Sequence, residues 1–150
     1  MEEKTYQAII DKIITILNDT SLEDTVTAVI NRLVSFGYTP VEEDSFAISF
    51  SITKSKNYIL NDINHATVPD GLFEVYVDMS VGEFMNVELL TGQLKIDNLD
   101  LDGIISSVSE GDTTVSFNAE GSDESKVKSL ISWLMRGKGC DLSCYRKIRW

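Results

Sequence analysis

The strongest constraint on the fold is the segment of residues 72–90, which carries apolar side chains on nearly every side of a helix. Pro69 provides a helix start, and Thr91 and Gly92 provide a stop. A helix that is apolar all round lies in the middle of a bundle or against a neighbouring subunit. We interpret its acidic residues as a solvated stripe rather than as paired catalytic acids, namely Glu74, Asp78, Glu83 and Glu88.

Amphipathic periodicity predicts two helices before this segment. Residues 3–18, and then the stretch from Ser21 to Gly37, repeat apolar residues at spacings of three and four. We expect Ser21 to cap the second helix, with Asp24 at its third position. Gly37 is a natural stop for that helix.

Residues 46–52 alternate apolar and polar side chains like a strand, but the residues before them favour a helix. Thr39 is a capping residue, Pro40 suits the first turn, and Glu42 stands at the reciprocal position of a capping box. Four-residue spacing gives a broad helical face, made by Phe46, Ile48, Phe50, Ile52, Ile59 and Ile63. We therefore predict one helix over about residues 40–64.

The pattern changes in the last third of the chain. Two β-rich runs within residues 104–117 flank a Ser-Glu-Gly-Asp turn at 109–112, which predicts a hairpin. A last amphipathic helix follows over about residues 123–136. The predicted fold class is mainly α, a helical bundle with a small β-hairpin and an extended C-terminal tail. We predict one helical domain of residues 1–136 and a docking tail of residues 137–150.

Charge is divided unevenly along the chain. Residues 1–122 contain 21 Asp or Glu against six Lys or Arg, whereas residues 123–150 contain three against seven. An acidic body argues against a domain that wraps nucleic acid, since phosphate contacts need clustered cations. The start of the chain lacks the features of a signal peptide, and no apolar stretch approaches the roughly 20 residues that span a bilayer. We expect the protein to stay in the cytoplasm of the cell that makes it.

No pattern in the sequence indicates an enzyme. The single histidine, His65, has no local partner that would suggest a catalytic triad. Cys140 and Cys144 are too few for a zinc site, and we interpret them as reduced thiols. The glycines stand singly, unlike a phosphate loop, and the acidic run at 42–44 lacks the spacing of a calcium loop. We therefore predict no catalytic residue, no cofactor and no metal.

The cationic and aromatic sequence at residues 145–150 predicts contact with another molecule. Terminal residues fray unless something ties them down, whereas Trp, Tyr and Arg are the side chains that most often anchor interfaces. The predicted docking residues are Tyr145, Arg146, Lys147, Ile148, Arg149 and Trp150. The alternative is that Trp150 folds back and caps its own domain.

From about Val26 onward, the chain resembles the head–tail connector (adaptor) proteins of tailed bacteriophages and phage-like elements. The likeness lies in the order and spacing of several segments. They are VINRL at 29–33, FGY at 36–38, ILNDIN at 59–64, VPDGL at 68–72, VDMSVGEF at 77–84, TGQL at 91–94, SEGDT at 109–113 and YRKIRW at 145–150.

This resemblance implies a structural protein of the virion neck, assembled in the host cytoplasm as a ring of about twelve copies. Such a ring lies beneath the portal protein, prolongs the DNA channel and meets tail or neck proteins. The portal is the expected partner of residues 145–150, and DNA passes without specific binding. We expect Asp97, Asp100 and Asp102 to line the channel. We expect Glu110, Gly111 and Asp112 to contact a neighbouring subunit or the tail.

Two other readings remain open. One is another neck or tail-completion component, although such ring-formers are usually richer in strand. The other is an acidic protein that mimics DNA and blocks a nucleic-acid enzyme, which requires exposed carboxylates at phosphate-like intervals. The dense apolar helix at 72–90 does not provide them.

Overall fold

The computed structural model describes residues 2–104, 122–136 and 139–148, and these are mainly helical, which confirms the mainly α part of the predicted fold class. The helices are α1 (Glu2–Leu17), α2 (Glu23–Ser35), α3 (Ser45–Ile63), α4 (Phe73–Leu90), α5 (Asp123–Arg136) and α6 (Gly139–Ser143). Short 3-10 turns occupy Thr20–Leu22, Glu42–Asp44, Asp70–Leu72 and Ile96–Asn98. No strand occurs within the described ranges.

The apolar helix α4 is the centre of the bundle. It packs against α2, α3 and α5, and every residue from 75 to 85 is buried. Gly82 allows α5 to approach closely, because a Cβ at this position would lie 2.8 Å from Leu134 Cβ and 3.0 Å from Met135 N. The prediction that α4 is surrounded by protein is confirmed.

Two glycines end their helices as predicted. Gly37 and Gly92 both take the left-handed conformation, with φ of +88° and +75°. After Gly37, the Tyr38 N–H donates to Leu33 O at 3.1 Å, which satisfies one of the last carbonyls of α2. Glycine suits both positions because it takes this conformation without steric cost.

The predicted N-terminal caps of α2 and α3 are wrong. Asp19, rather than Ser21, accepts a backbone N–H at the turn before α2, and Ser21 is the donor at 3.0 Å. Before α3, the carboxylate of Asp44 accepts the N–H of Val41 at 2.9 Å, so Thr39 is not the cap. A 3-10 turn precedes each helix, so the unpaired N–H groups lie earlier in the chain than predicted. The carboxylate of a nearby aspartate accepts a hydrogen bond from one of them.

The predicted solvated stripe of α4 is also wrong. Only Glu74 is exposed, whereas Asp78, Glu83 and Glu88 are buried. Arg32 on α2 lies 3.1 Å from the Asp78 carboxylate, and Lys54 on α3 lies 2.9 Å from that of Glu83. Because α4 is packed on three sides, its acids meet cations that reach in from neighbouring helices rather than water.

The helix predicted over 40–64 is confirmed as α3, but its apolar residues do not share one face. The isoleucines are fully buried, namely Ile48, Ile52, Ile59 and Ile63. Phe46 and Phe50 are 70% and 57% exposed. Residues 46 and 50 lie one turn apart on the side of the helix away from 48 and 52, because each residue advances the helix by about 100°.

Two further predictions concern the last third of the chain. Ile104 belongs to a helical stretch at 101–104, and the rest of the predicted hairpin lies outside the described residues. The segment predicted as an extended tail begins instead as helix α6, which packs against α3. None of the described helices combines the length and the apolar character needed to cross a bilayer.

Candidate functional site

The base of the cationic segment is fixed to the end of α3. The Lys147 N–H donates to Ile63 O at 2.9 Å, and Asn64 Nδ2 donates to Lys147 O at 3.2 Å. The Ile63 carbonyl is among the last four of the helix, which have no partner within the helix itself. The Lys147 N–H therefore pairs with a carbonyl that has no hydrogen-bond partner within α3.

The turn after α3 supplies a third hydrogen bond to the segment. Asn64 takes the left-handed conformation at φ 57°, so the chain reverses immediately after the helix. His65 Nε2 then lies 2.6 Å from the carbonyl oxygen of Tyr145. Since a carbonyl can only accept, Nε2 carries the proton and donates it.

Two side chains of the segment also meet the body. Arg146 donates through Nε and Nη2 to both carboxylate oxygens of Asp62, each at 3.1 Å. The pair is partly exposed, so its geometry is specific and its contribution modest. The half-buried Tyr145 lies over Gly71, where a Cβ would overlap the phenol hydroxyl and lie 3.0 Å from Cζ. We name the receiving residues the tail seat, namely Asp62, Ile63, Asn64, His65 and Gly71.

The residue that follows the segment held by the tail seat is exposed. Ile148 is 78% exposed, and Arg149 and Trp150 lie outside the described residues. We name these three residues the C-terminal tip. The six predicted docking residues thus divide into a base held by its own chain and a tip beginning with an exposed isoleucine. Their docking role stays a prediction.

The predicted channel residues follow α4 in the chain, and all three are exposed. Asp97 lies in the 3-10 turn, Asp102 lies in the helical stretch at 101–104, and Asp100 lies between the two. Asp100 Oδ1 accepts the Gly103 N–H at 3.2 Å, and Asp102 lies 3.9 Å from Lys126 Nζ. Asp100 thus has a local structural role. The predicted contact residues lie outside the described residues, namely Glu110, Gly111 and Asp112.

A buried polar cluster lies at the end of the bundle where α3 begins and α4 ends. The Tyr38 hydroxyl donates to Asp44 Oδ2 at 2.9 Å. Burial, together with this hydrogen bond, raises the pKa of Tyr38 above its ordinary value. Burial also raises the pKa of Glu88, and the nearby Asp44 carboxylate adds to the effect. The cluster joins the turn before α3 to α4, and Glu88 is its costly member.

A groove of about 520 Å³ runs between α2 and α4. The Arg32 guanidinium lies in it, stacked 4.8 Å from the centre of the Phe36 ring and paired with Asp78. Both charges are therefore engaged with the chain itself. In the part of the chain that the structure describes, no group of three or more His, Cys, Asp or Glu is arranged to hold a metal ion.

Compared with protein-family models, curated proteins and solved structures, this chain matches none of them. The resemblance to connector proteins therefore rests on the sequence segments alone.

Sequence reasoning missed the tail seat. Its residues contact residues 145–147 across 74 to 84 positions of the sequence, and no local pattern predicts such contacts. The sequence contains a weak indication of the turn at Asn64, because Asn often takes the left-handed conformation at the C-terminal end of a helix. The interpretation of His65 as structural named no partner for it.

Proposed function

We propose that this chain is a structural subunit of a tailed-phage neck, a head–tail connector that assembles as a ring between the portal and the tail. The single observation that carries the proposal is that the base of the cationic segment is fixed to the body while the next residue is exposed. The tail seat holds Lys147 by its N–H and its carbonyl, and Ile148 is 78% exposed.

This arrangement favours docking because much of the ordering cost is met before a partner arrives. A free peptide loses about 1–2 kcal/mol of backbone entropy for each residue that it orders on binding. Here the tail seat holds residues 145–147 in the unbound chain, so part of this cost is met before binding. An apolar and acidic groove on the portal is the partner that suits an isoleucine, an arginine and a tryptophan. In a ring of about twelve copies, even weak tips add up through avidity.

The charge of the body suits a channel for DNA. Residues 1–122 carry a large excess of carboxylates, and like charges discourage adhesion to phosphates. Asp97 and Asp102 are exposed and suit this role better than Asp100, which caps a local turn. The proposal also assigns residues 110–112, on the predicted hairpin, to contact with a neighbouring subunit or the tail.

The test is deletion of residues 148–150, which removes the tip and leaves the base in place. The expected result is an unchanged circular dichroism spectrum and melting temperature, with loss of capture by purified heads that carry the portal. The matched control is Lys128→Ala, which removes an exposed cation from α5 without touching the tail seat. Heads that recruit the truncated chain as well as the intact chain would refute the proposal.

Burial of the α4 carboxylates weakens the DNA-mimic alternative. A mimic needs rows of exposed acids, and three of the four acids of α4 are enclosed. The mainly helical architecture likewise gives no support to the strand-rich type of neck or tail-completion component.

A further inference from the structure

A cavity of about 470 Å³ lies beside the ends of α2 and α4. Asp44, Glu88 and Leu99 are the buried part of its lining, and Tyr38 is half-buried. The rest of the lining is exposed, so the cavity opens to solvent. Its volume falls within the range of about 300–1,000 Å³ that is typical of sites for small molecules. We name it the end cavity.

The two carboxylates of the end cavity differ in how far the chain satisfies them. Asp44 accepts hydrogen bonds from the Tyr38 hydroxyl and the Val41 N–H, each at 2.9 Å. Glu88 is only 6% exposed, and among the described residues no group donates to its carboxylate or pairs with it. Burial, together with the nearby Asp44 charge, raises the pKa of Glu88. Glu88 is therefore a buried acceptor for which the described chain supplies no donor.

The helix ends beside the cavity add negative charge. A helix C-terminus carries a partial negative charge, which a basic residue in the last turn can offset. Glu88 lies in the last turn of α4, and no basic residue does. The last turn of α2 contains Arg32, but its Nε lies 3.1 Å from Asp78 Oδ1, outside this cavity. Neither helix supplies a cation to the end cavity.

Lys95 lines the cavity without neutralising Glu88. Lys95 is exposed, and in the part of the chain that the structure describes it forms no ion pair with Asp44 or Glu88. Charges that face water are screened more strongly than buried ones. Lys95 therefore reduces the attraction of the cavity for a cation but does not replace that cation.

The chemistry of Glu88 selects the occupant. An ionised carboxylate only accepts hydrogen bonds, so its partner must donate, and an ammonium or guanidinium group donates and brings a positive charge as well. A metal ion suits the cavity less, because calcium takes about six to eight oxygen ligands. The lining contains two carboxylates, and the described residues include no group of three or more His, Cys, Asp or Glu arranged for a metal.

We infer that the end cavity binds an organic cation, whose ammonium or guanidinium group pairs with Glu88. The group belongs either to a free small amine or to a Lys or Arg side chain of a second copy, and both sources present the same chemistry. The inference does not depend on the connector assignment, because it rests on the lining of one cavity.

The experiment titrates the full chain with n-butylammonium chloride and follows the titration by NMR. The amide signals of Tyr38 and Asn98 are expected to shift at millimolar concentrations of the amine. The pKa of Glu88 should fall on binding, because a nearby cation favours the charged form. Glu88→Gln should bind the amine at least about tenfold more weakly. This variant is expected to fold, because the amide has nearly the shape of the carboxylate and removes a buried charge.

Two kinds of control keep the result specific. Glu74→Gln makes the same change of charge at an exposed position of α4 outside the cavity, and it should leave the affinity unchanged. Among the probes, n-butanol has the same carbon chain without the charge, and tetramethylammonium has the charge without an N–H. Both should bind at least about tenfold more weakly than n-butylammonium.

Sedimentation velocity over a dilution series identifies the source of the cation. Self-association that n-butylammonium and Glu88→Gln both weaken would identify a side chain of a second copy. A chain that stays monomeric and still binds n-butylammonium would identify a free amine.

Three outcomes would overturn the inference. One is the absence of amide shifts with n-butylammonium; a Glu88 pKa that then rises in Lys95→Gln would make Lys95 the partner of Glu88. Another is equal affinity of Glu88→Gln and the intact chain. The third is binding of n-butanol or of calcium chloride at the same amides as tightly as n-butylammonium, because the cavity would then be selective for a neutral donor or a metal ion.

Discussion

Substitution of Gly71 by alanine tests whether the tail seat holds the C-terminal segment, without altering that segment. A methyl group at Gly71 would overlap the Tyr145 hydroxyl and lie 3.0 Å from its Cζ. The Tyr145 ring must therefore leave its place. In a Tyr145→Ala background the methyl group has room, so the double variant should behave like Tyr145→Ala alone, and the two effects should not add.

The contacts that hold residues 145–147 in the tail seat contribute about as much free energy as the ordering of these residues costs. Its three hydrogen bonds contribute about 1 kcal/mol each, the exposed Arg146–Asp62 pair about 0.5–1, and partial burial of Tyr145 about 1–2. Ordering residues 145–147 costs about 5 kcal/mol in backbone and side-chain entropy. The net value is close to zero, so losing the ring contact shifts the closed and open populations by about tenfold, since 1.4 kcal/mol is one decade.

The Lys147 amide reports on this equilibrium because its N–H is bound to Ile63 only when the seat is closed. The seat is close to balance, so the Lys147 amide is already open about half of the time. In Gly71→Ala its hydrogen exchange should accelerate about twofold and approach the rate of an unprotected amide, with exchange in α4 and the global melting temperature unchanged. Asp70→Ala, at the exposed neighbouring position, is the control. Unchanged protection at Lys147, or equal acceleration throughout the bundle, would refute the account.

Three further predictions concern the core, each measured by urea unfolding. Gly82→Ala should destabilise by about 0.5–2 kcal/mol, because crowding against Leu134 outweighs the gain of about 1 kcal/mol in helix propensity; an equally stable variant would contradict the close packing. Lys54→Met should cost about 1–3 kcal/mol, because Glu83 stays buried without its cation, whereas Lys54→Arg should cost less. Glu88→Gln should stabilise at pH 7. Burial, with a neighbouring carboxylate, raises the pKa of Glu88, so native stability falls as the pH rises from 4.5 through that raised value and stays lower above it. Parallel pH profiles for variant and wild type would count against this.

The helices follow from local patterns, which the sequence displays directly. Apolar spacing predicts α1, α2 and α5, and the nearly uniform apolar segment predicts the central position of α4. Gly37 and Gly92 end helices for a reason that can be read from the residue type alone. The misplaced caps show the limit of this approach, because a three-residue turn before a helix moves the cap without changing the helix itself.

The candidate site depends on contacts between distant positions, and the sequence gives no measure of these. The buried acids of α4 were assigned to solvent because their partners, Arg32 and Lys54, lie on other helices 46 and 29 positions away. Phe46 and Phe50 were predicted to share one broad helical face with the isoleucines of α3, because four-residue spacing does not indicate which way each stripe faces. For the segment at 145–150, composition predicted the docking role, but it could not divide the segment into base and tip.

Because the closed and open forms of the tail seat are close in free energy, the state of the base can control binding by the C-terminal tip. A tip that binds only when the base is closed has an apparent affinity reduced by the closed fraction, so a seat that is about half closed costs only about twofold. A tenfold opening in Gly71→Ala should therefore weaken capture by portal-bearing heads several-fold, although no residue of that contact is altered. By linkage, a bound partner must slow exchange at Lys147, and the slowing must grow with the partner concentration. If the partner protects the tip but leaves Lys147 exchange unchanged, base and tip are independent, and the seat serves the stability of the fold alone.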